Sequence, residues 1–465
     1  MIAPITDPSV IEGYLTDASN VHGHADGLLR PRSTEEVSAI VRHCQANNLA
    51  LTVTAARTST TAGPVPFGGL LLSLERLNRI GAITHDTATA QVGVYLGAFQ
   101  TEIEATGRFY PPDPTSRNEC TLGGSVACNA SGARTFRYGP TRPWVEALEV
   151  VLPDGEIRRF KRGDPVPAAW PVPQWTEPNV KTSAGYAPAK DAVDVFIGSE
   201  GTLGILTEVT VRLTDLPESV LGVLAYFPDR ATAVAFMRAA RAAAREDRTG
   251  TLSPRCLEYL DKGCLAFAKA RIGAVPEGAG AAMFCEQEVM ACGEDAHMAA
   301  WFDALTTSGA LIDETLFSSD PSSRASLLAL RHAVPAGVNE QAVRNGMPKV
   351  ATDLSVPDDA LDAMMDAYEA APMRNALFGH LGDNHLHLNL LPSTADELAT
   401  AKAFYVELAR KAVALGGSVS GEHGIGKTKK NQLALMVDAA TLESFRALKL
   451  HLDPNGVLGR GTMFD

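Results

Sequence analysis

Four of the eleven histidines lie within 44 residues, in the segments GHLGDNHLHLNLL and SGEHGIGK. If residues 381–384 turn a hairpin, His380 lies opposite His385 and diagonal to His387. Side chains alternate along a strand with a period of two, which places Asn389 on the same face. The spacing therefore predicts a face on which two imidazoles can share one metal ion.

The second segment adds a carboxylate beside a histidine. Glu422 and His423 are neighbours and would face opposite ways in a regular strand. The glycines at 421, 424 and 426 allow the backbone to bring both side chains to one site. Two histidines, one glutamate and an open position suit a catalytic Zn²⁺ or a similar divalent ion. The spacing alone also fits a hairpin with exposed histidines followed by an ordinary glycine-rich turn.

Two glycine-rich segments are candidates for binding phosphate, CTLGGSVACNASG (120–132) and GSEGTLGIL (198–206). Backbone N–H groups in such loops can cradle a pyrophosphate. Neither segment matches the G-x-G-x-x-G or G-x-x-x-x-G-K-[ST] patterns, and tight turns between strands explain them equally well.

Two cations follow at a distance, Arg331 in a predicted helix over 323–334 and Lys349 at the start of KVATDLSVP. A guanidinium suits a substrate carboxylate, although an arginine near a helix end is also a common partner of the helix dipole.

Composition limits the class of protein. The 465 residues predict two or three domains, and 45% hydrophobic residues exclude wholesale disorder. A net charge of −13 without long charge runs argues against nucleic acid as a partner. The seven cysteines contain no C-x-x-C, so neither a zinc finger nor an iron–sulfur cluster is expected. With no signal peptide or membrane span recognisable, we expect a soluble, cytoplasmic protein.

The elements that must position these residues fall into three parts of the chain. Ser33 and Glu36 form a capping box before a helical pattern, and LALTVTAA, GLLLSLERL, TATAQVGVYLG, EALEVVLPDGEIRRF and GILTEVTVRL predict strands of an α+β domain. The proline-rich stretch 162–179 predicts an irregular surface segment that belongs to no core. After residue 216, strands alternate with alanine-rich helices, which predicts a second sheet. The last 70 residues predict two helices around a glycine-rich loop.

Nine segments, in order, resemble the FAD-linked oxidase and dehydrogenase family with the vanillyl-alcohol-oxidase fold, and within it the D-lactate, glycolate and D-2-hydroxyglutarate dehydrogenase branch. They are RPRSTEEV, LLLSLERLNRI, PPDPTS, TLGGSVACNASG, RYG, GSEGTLGILTEVTVRL, GHLGDNHLHLNLL, GEHGIGK and DPNG. The resemblance implies an α+β fold with a two-subdomain FAD-binding domain (1–216) and a cap domain with an antiparallel sheet and the metal-site hairpin (217–395). A C-terminal helical segment (396–465) would return to the FAD domain.

The resemblance also implies roles for individual residues. His380, His387 and Glu422 would hold the divalent metal ion, for which zinc is the first candidate. His423 would be the general base, and Asn389, Arg331 and Lys349 would contact the substrate. FAD would be lined by Arg57, Thr58, Ser59, Pro111, Asp113, Thr115, Ser116, Gly123, Gly124, Ser131, Gly132, Glu200, Gly201, Gly204 and Ile205.

The implied reaction is oxidation of a D-2-hydroxy acid to the 2-oxo acid, with hydride transfer from C2 to flavin N5. Electrons would pass to a separate acceptor, which is a quinone, a cytochrome or an electron-transfer flavoprotein. A homodimer is one possible assembly, although the sequence does not determine the oligomeric state, and peripheral attachment to the inner membrane is the alternative location. Other classes stay open: a flavin-carrying subunit that needs an iron–sulfur partner, a metal-dependent hydrolase, or a non-redox flavoenzyme on the same fold.

The sequence departs from the family pattern at several positions. Residues 55–57 replace glycines of the first phosphate loop, and no histidine there could carry a covalent flavin. The segment LGRG (458–461) replaces the usual Asn-Pro-Gly. His385 stands where relatives have Asn, so we leave it outside the predicted ligand set, either as a spare ligand or as a neighbour that tunes the others. Pro335 replaces the Thr of relatives specific for 2-hydroxyglutarate, which favours D-lactate or glycolate.

Overall fold

The computed structural model describes residues 2–272, 275–290 and 293–464. Within these ranges the helices are α1 Pro8–Ile11, α2 Thr34–Ala46, α3 Leu96–Glu104, α4 Leu122–Ala127, α5 Thr135–Tyr138, α6 Arg230–Glu246, α7 Lys262–Ile272, α8 Glu294–Thr307, α9 Pro321–Asn345, α10 Leu361–Glu369, α11 Ala395–Ala414, α12 Lys430–Met436 and α13 Ala439–Leu452. No helix in the described ranges is both long enough and apolar enough to cross a membrane.

The strands are β1 Gly27–Leu29, β2 Leu51–Thr54, β3 Leu70–Ser73, β4 Ile80–Ile83, β5 Thr87–Gln91, β6 Arg108–Phe109, β7 Val145–Val151, β8 Ile157–Lys161, β9 Ile205–Arg212, β10 Thr214–Asp215, β11 Val220–Phe227, β12 Cys256–Asp261, β13 Ala281–Glu288, β14 Leu316–Ser318, β15 Val350–Ala351, β16 Leu354–Ser355, β17 Asn375–His380 and β18 His385–Leu390.

The N-terminal half contains two larger sheets. A parallel sheet has the order β1-β3-β2, and an antiparallel sheet has the order β4-β5-β9-β7-β8. Helix α2 begins at the predicted cap, because Ser33 Oγ accepts from Glu36 N–H at 3.3 Å. Glu36 Oε2 accepts from the N–H of Arg32 at 2.6 Å, one residue before the cap rather than at Ser33 itself. All five predicted strand segments contribute strands, so the predicted α+β domain is confirmed.

The second sheet is antiparallel, with the order β14-β11-β13-β12-β17-β18-β15 and β16 also paired with β18. Strand β11 is buried along its whole length, because α6 and α9 both pack against it. Helix α6 buries Ala233, Phe236, Met237, Ala240 and Ala244, which recur at helical spacing. The predicted second sheet with covering helices is therefore confirmed.

The C-terminal segment returns to the N-terminal half, as the family resemblance implies. Leu51 N–H on β2 donates to Val457 O at 2.9 Å. Lys449, on α13, donates through Nζ to Thr202 O at 2.7 Å and to Leu458 O at 2.8 Å. Both ends of the chain thus build one half of the molecule.

Residues 162–179 lie at the surface as predicted, but contrary to the prediction they pack against the core. The segment has irregular backbone, but Trp170 packs edge-on against Phe196 and Trp175 packs edge-on against Phe445, with ring centroids 5.9 Å and 5.6 Å apart. Large aromatic side chains gain enough from burial to hold a segment on the core without regular secondary structure, so the lack of an apolar period was misleading.

The helix predicted over 323–334 is longer than expected. Helix α9 continues through Pro335 to Asn345 and ends at Gly346, whose φ of 64° is left-handed. A proline inside a helix removes the hydrogen bond that its own N–H would have donated to the carbonyl four residues earlier, here that of Arg331. The flanking turns maintain the helix across this gap.

Candidate active site and metal centre

The hairpin that carries the histidines forms as predicted. Strands β17 and β18 are joined by a 3-10 turn at Leu381–Asp383, and the register pairs His380 with His385 and Phe378 with His387. The turn closes at Asn384, whose φ of 49° is left-handed and suits asparagine. His380, His385 and His387 therefore lie on one face of the sheet.

The glycine-rich loop after α11 brings Glu422 to this face. Glu422 Oε1 lies 3.1 Å from His387 Nε2 and 3.4 Å from His380 Nε2. His380, His385, His387 and Glu422 each offer one donor atom, and these four atoms lie within 4.8 Å of one another. Imidazole nitrogens and one carboxylate are the donor set of a catalytic zinc site, so these residues fit a divalent metal.

A buried lysine occupies the outer side of the same carboxylate. Lys181 Nζ donates to Glu422 Oε2 at 2.9 Å, and its side chain is 3% exposed. Burial raises the pKa of Glu422, but the positive charges of Lys181 and His380 outweigh burial and hold it well below its usual range. The carboxylate is thus ionised and ready to bind a cation. Lys181 was not predicted from the sequence, because no motif or spacing marks this residue after the proline-rich segment.

Glu258 connects a predicted metal ligand with a predicted substrate ligand. Its Oε1 lies 2.6 Å from His380 Nδ1, and its Oε2 accepts from Arg331 Nε at 3.0 Å and from Arg331 Nη2 at 2.9 Å. Burial lowers the pKa of His380, but Glu258 outweighs burial and raises it to about 9, so a metal ion displaces a proton when it binds. Glu258 was missed, although a glutamate within the apolar strand CLEYLD was an available signal.

We expect the substitution Glu258→Gln to weaken metal binding about 10- to 100-fold. The amide still accepts from His380 Nδ1, but it loses the negative charge that makes the ring a better ligand. The dissociation constant can be measured by titrating Zn²⁺ against a competing chelator. Glu288→Gln, which alters another glutamate paired with an arginine, is the matched control. Equal affinity of the Glu258→Gln variant and the wild type would contradict the prediction.

Asp353 anchors the loop that carries Glu422 and His423. This fully buried carboxylate accepts from Glu422 N–H at 3.2 Å, His423 N–H at 3.1 Å and Lys429 Nζ at 2.6 Å. Its Oδ1 also lies 2.8 Å from His385 Nε2. Burial raises the pKa of Asp353, but His423 and Lys429 hold it well below its usual range. Nothing in the sequence marked KVATDLSVP as more than a strand, so Asp353 was missed as well.

His423, the predicted general base, lies beside the cluster with its ring partly exposed. Its ring stacks on that of His387, with centroids 5.3 Å apart and planes at 19°, and its side chain keeps 30% exposure. Burial lowers the pKa of His423 to about 4, so the ring is neutral at pH 7 and one nitrogen carries a lone pair. Nδ1 lies 3.5 Å from Asp353 Oδ2, which leaves Nε2 as the atom available to a substrate.

Two further residues predicted to contact substrate lie at the edge of the hairpin. Asn389, on β18, is buried and pairs with Ala351 on β15. Lys349 precedes β15, and burial lowers its pKa. Asn389 thus lies on the strand that carries His385 and His387, and Lys349 lies immediately before a strand paired with it. Arg331 joins the cluster through Glu258, which engages part of its guanidinium.

The loops predicted to bind flavin adjoin this cluster. Ser131 Oγ lies 3.4 Å from Glu422 Oε2. Glu200, whose φ is 53°, accepts from the N–H groups of Ile425 and Gly426 at 2.8 Å each and so ties its loop to that of Glu422. A Cβ on Gly132 would lie 1.8 Å from Asp113 O, so two of these loops approach each other at a distance that only glycine allows.

The parallel sheet offers polar groups that fit a bound nucleotide. The buried hydroxyls of Thr54 and Ser73, at the carboxyl ends of β2 and β3, have no hydrogen-bond partner among the described residues. The loop 55–63 follows β2 directly and contains Arg57, with a φ of 58° and its guanidinium 4.6 Å from the Tyr14 ring. The remaining residues predicted to line FAD lie in four places. Thr58 and Ser59 lie in this loop, Pro111, Thr115 and Ser116 lie between β6 and α4, Gly123 and Gly124 lie within α4, and Gly201, Gly204 and Ile205 lie just before β9 or at its first residue.

One half of the molecule thus contains a parallel and an antiparallel sheet, and the other half is built on one large antiparallel sheet. A solved structure of alkyldihydroxyacetonephosphate synthase, 17% identical, superposes with a TM-score of 0.67 over 94% of this chain and 76% of that chain, which supports the fold. Residues 25–161 match a model described as "FAD binding domain", and residues 216–463 match "FAD linked oxidases, C-terminal domain".

Curated relatives cover nearly the whole chain. The glycolate oxidase subunit GlcD of Bacillus subtilis is 31% identical over 94% of this chain and 89% of its own length. The D-2-hydroxyglutarate dehydrogenase of Xanthomonas citri is 34% identical over 99% and 94%, and the mitochondrial D-2-hydroxyglutarate dehydrogenase of Bos taurus is 31% identical over 98% and 80%. The chain therefore belongs to the FAD-linked oxidoreductase family whose members include dehydrogenases of 2-hydroxy acids, and the resemblance found in the sequence is confirmed.

Proposed function

We propose that this protein oxidises a D-2-hydroxy acid to the 2-oxo acid with the help of a divalent metal ion. Zinc is the first candidate for this ion. The observation that carries the proposal is the cluster of His380, His387 and Glu422 next to the neutral ring of His423 and the flavin loops. The names of the relatives, which include glycolate oxidase, D-lactate dehydrogenase and D-2-hydroxyglutarate dehydrogenase, support this substrate class.

In the proposed reaction, each residue of the candidate site has a separate role. When bound, FAD supplies a two-electron oxidant and the metal supplies a Lewis acid. His423 Nε2 takes the proton of the substrate hydroxyl as C2 is oxidised. Lys349 and the part of the Arg331 guanidinium not engaged by Glu258 bind the substrate carboxylate, and Asn389 orients the substrate from strand β18. A separate acceptor, which is a quinone, a cytochrome or an electron-transfer flavoprotein, would take up the two electrons.

The size of the substrate is inferred from the family resemblance, in which relatives specific for 2-hydroxyglutarate carry, at the position of Pro335, a Thr that helps bind the distal carboxylate. Pro335 lies one turn beyond Arg331 on this helix and has neither a hydroxyl nor a backbone N–H to donate. A second carboxylate on the substrate would therefore find no donor at this position. This favours D-lactate or glycolate over D-2-hydroxyglutarate.

We expect a D-2-hydroxy acid to bleach the flavin absorbance of the purified holoprotein under anaerobic conditions. The acids to compare are D-lactate, glycolate, D-2-hydroxyglutarate and D-malate, with the L-enantiomers as controls. Chelation should abolish bleaching because the metal no longer activates the hydroxyl, and added Zn²⁺ should restore it. Absence of bleaching with every acid would contradict the proposed function. Bleaching of the isolated chain would also show that no iron–sulfur partner is needed for this step.

A further inference from the structure

His385 has an unusual environment for a histidine outside the predicted ligand set. Its side chain is fully buried on the same face of β18 as His387, and its ring centroid lies 4.6 Å from that of His387 and 5.4 Å from that of His380. Gly421 packs against the ring so closely that a Cβ there would lie 2.4 Å from Nε2. The loop that carries Glu422 is thus shaped around this imidazole.

One nitrogen of His385 has a partner and the other has none. Nε2 lies 2.8 Å from Asp353 Oδ1, and an ionised carboxylate can only accept, so Nε2 carries the hydrogen. Nδ1 therefore holds the lone pair. In the described part of the chain this atom is buried without any hydrogen-bond partner. Leaving a buried hydrogen-bond acceptor without a partner costs free energy, which indicates that Nδ1 binds a ligand.

The two neighbouring histidines show the same arrangement, in which an oxygen atom holds one ring nitrogen and the other nitrogen remains for a ligand. His380 directs Nδ1 to Glu258 Oε1 at 2.6 Å, and His387 directs Nδ1 to Thr352 O at 2.9 Å, which leaves Nε2 of each ring facing Glu422. An outer oxygen that holds one ring nitrogen while the other binds the metal is the common arrangement of histidine ligands. His385 follows it with the two nitrogens exchanged.

We propose that His385 is a third imidazole ligand of the metal and binds through Nδ1, so that the donor set is three histidines and Glu422. This inference rests on the metal-assisted function proposed above. Zinc–nitrogen bonds of about 2.0–2.1 Å require donor atoms roughly 3.0–3.4 Å apart. One donor atom from each of the four residues already lies within 4.8 Å of the others, so the four side chains draw together on binding. With four protein ligands, substrate binds only when the metal expands to five or six ligands, which favours ions that tolerate such coordination.

The test is zinc K-edge X-ray absorption of the holoprotein loaded with one equivalent of Zn²⁺. Multiple scattering from imidazole rings counts the histidine ligands, and we expect three in the wild type and two in His385→Asn. The Zn²⁺ dissociation constant of this variant should also rise at least tenfold. His85→Asn, which changes an exposed histidine paired with Asp86, is the control and should keep three imidazoles and the wild-type affinity.

The outcomes separate this inference from the proposed function. Two imidazoles in the wild-type spectrum would overturn the role of His385, and normal substrate bleaching in the same sample would leave the proposed function standing. A wild-type protein that binds no Zn²⁺ would overturn both. The wild-type spectrum decides the question even if the His385→Asn variant fails to fold.

Discussion

The substitution His423→Ala strongly slows reduction of the flavin when substrate is mixed with the holoprotein under anaerobic conditions. Loss of a positioned general base lowers the rate of proton transfer, and we expect flavin reduction to slow by about 10²- to 10⁴-fold. The loop itself should stay in place, because its anchors at this residue are backbone atoms. His423 N–H donates to Asp353 at 3.1 Å, and His423 O accepts from Thr61 Oγ1 at 3.3 Å.

Stopped-flow measurement of flavin bleaching gives the rate for this variant directly. Flavin and zinc content should equal those of the wild type, which separates loss of the base from loss of a cofactor. His451→Ala, at the exposed end of α13, is the control and should bleach at the wild-type rate. If His423→Ala is also reduced at the wild-type rate, the assignment of the base is wrong.

The second large effect is expected at Asp353. Asp353→Ala removes the carboxylate to which Lys429 Nζ, Glu422 N–H and His423 N–H all donate. Lys429 is left as a buried charge without its partner, which costs about 3–5 kcal/mol of stability. The loop with Glu422 and His423 also loses its anchor, so substrate should no longer bleach the flavin.

A charge-neutral double variant separates stability from catalysis. Asp353→Asn combined with Lys429→Met removes both buried charges, and most of the lost stability should return. Activity should stay low, because an asparagine side chain offers one acceptor oxygen where the carboxylate served several donors. Chemical denaturation followed by far-UV circular dichroism measures the stability of each variant. An Asp353→Ala protein as stable and as active as the wild type would refute this role.

Local patterns in the sequence were sufficient for the elements and for part of the site. The period of two in GHLGDNHLHLNLL determines which histidines share a face, and the observed register confirms it. Ser33 and Glu36 determine where α2 begins, because a cap involves only atoms of adjacent residues. Ordered motifs along the whole chain identified the family, and with it FAD as the cofactor.

Tertiary structure alone decided which groups support the site. Glu258 reaches His380 across 122 residues because β12 pairs with β17, and Lys181 reaches Glu422 across 241 residues from a segment without regular structure. The burial of the tryptophans in 162–179 was likewise missed. Spacing in a sequence reports contacts within one helix, strand or turn, because those follow from fixed backbone geometry. Contacts between distant segments depend on how sheets pair and loops pack, and these residues become neighbours only when the whole core has formed.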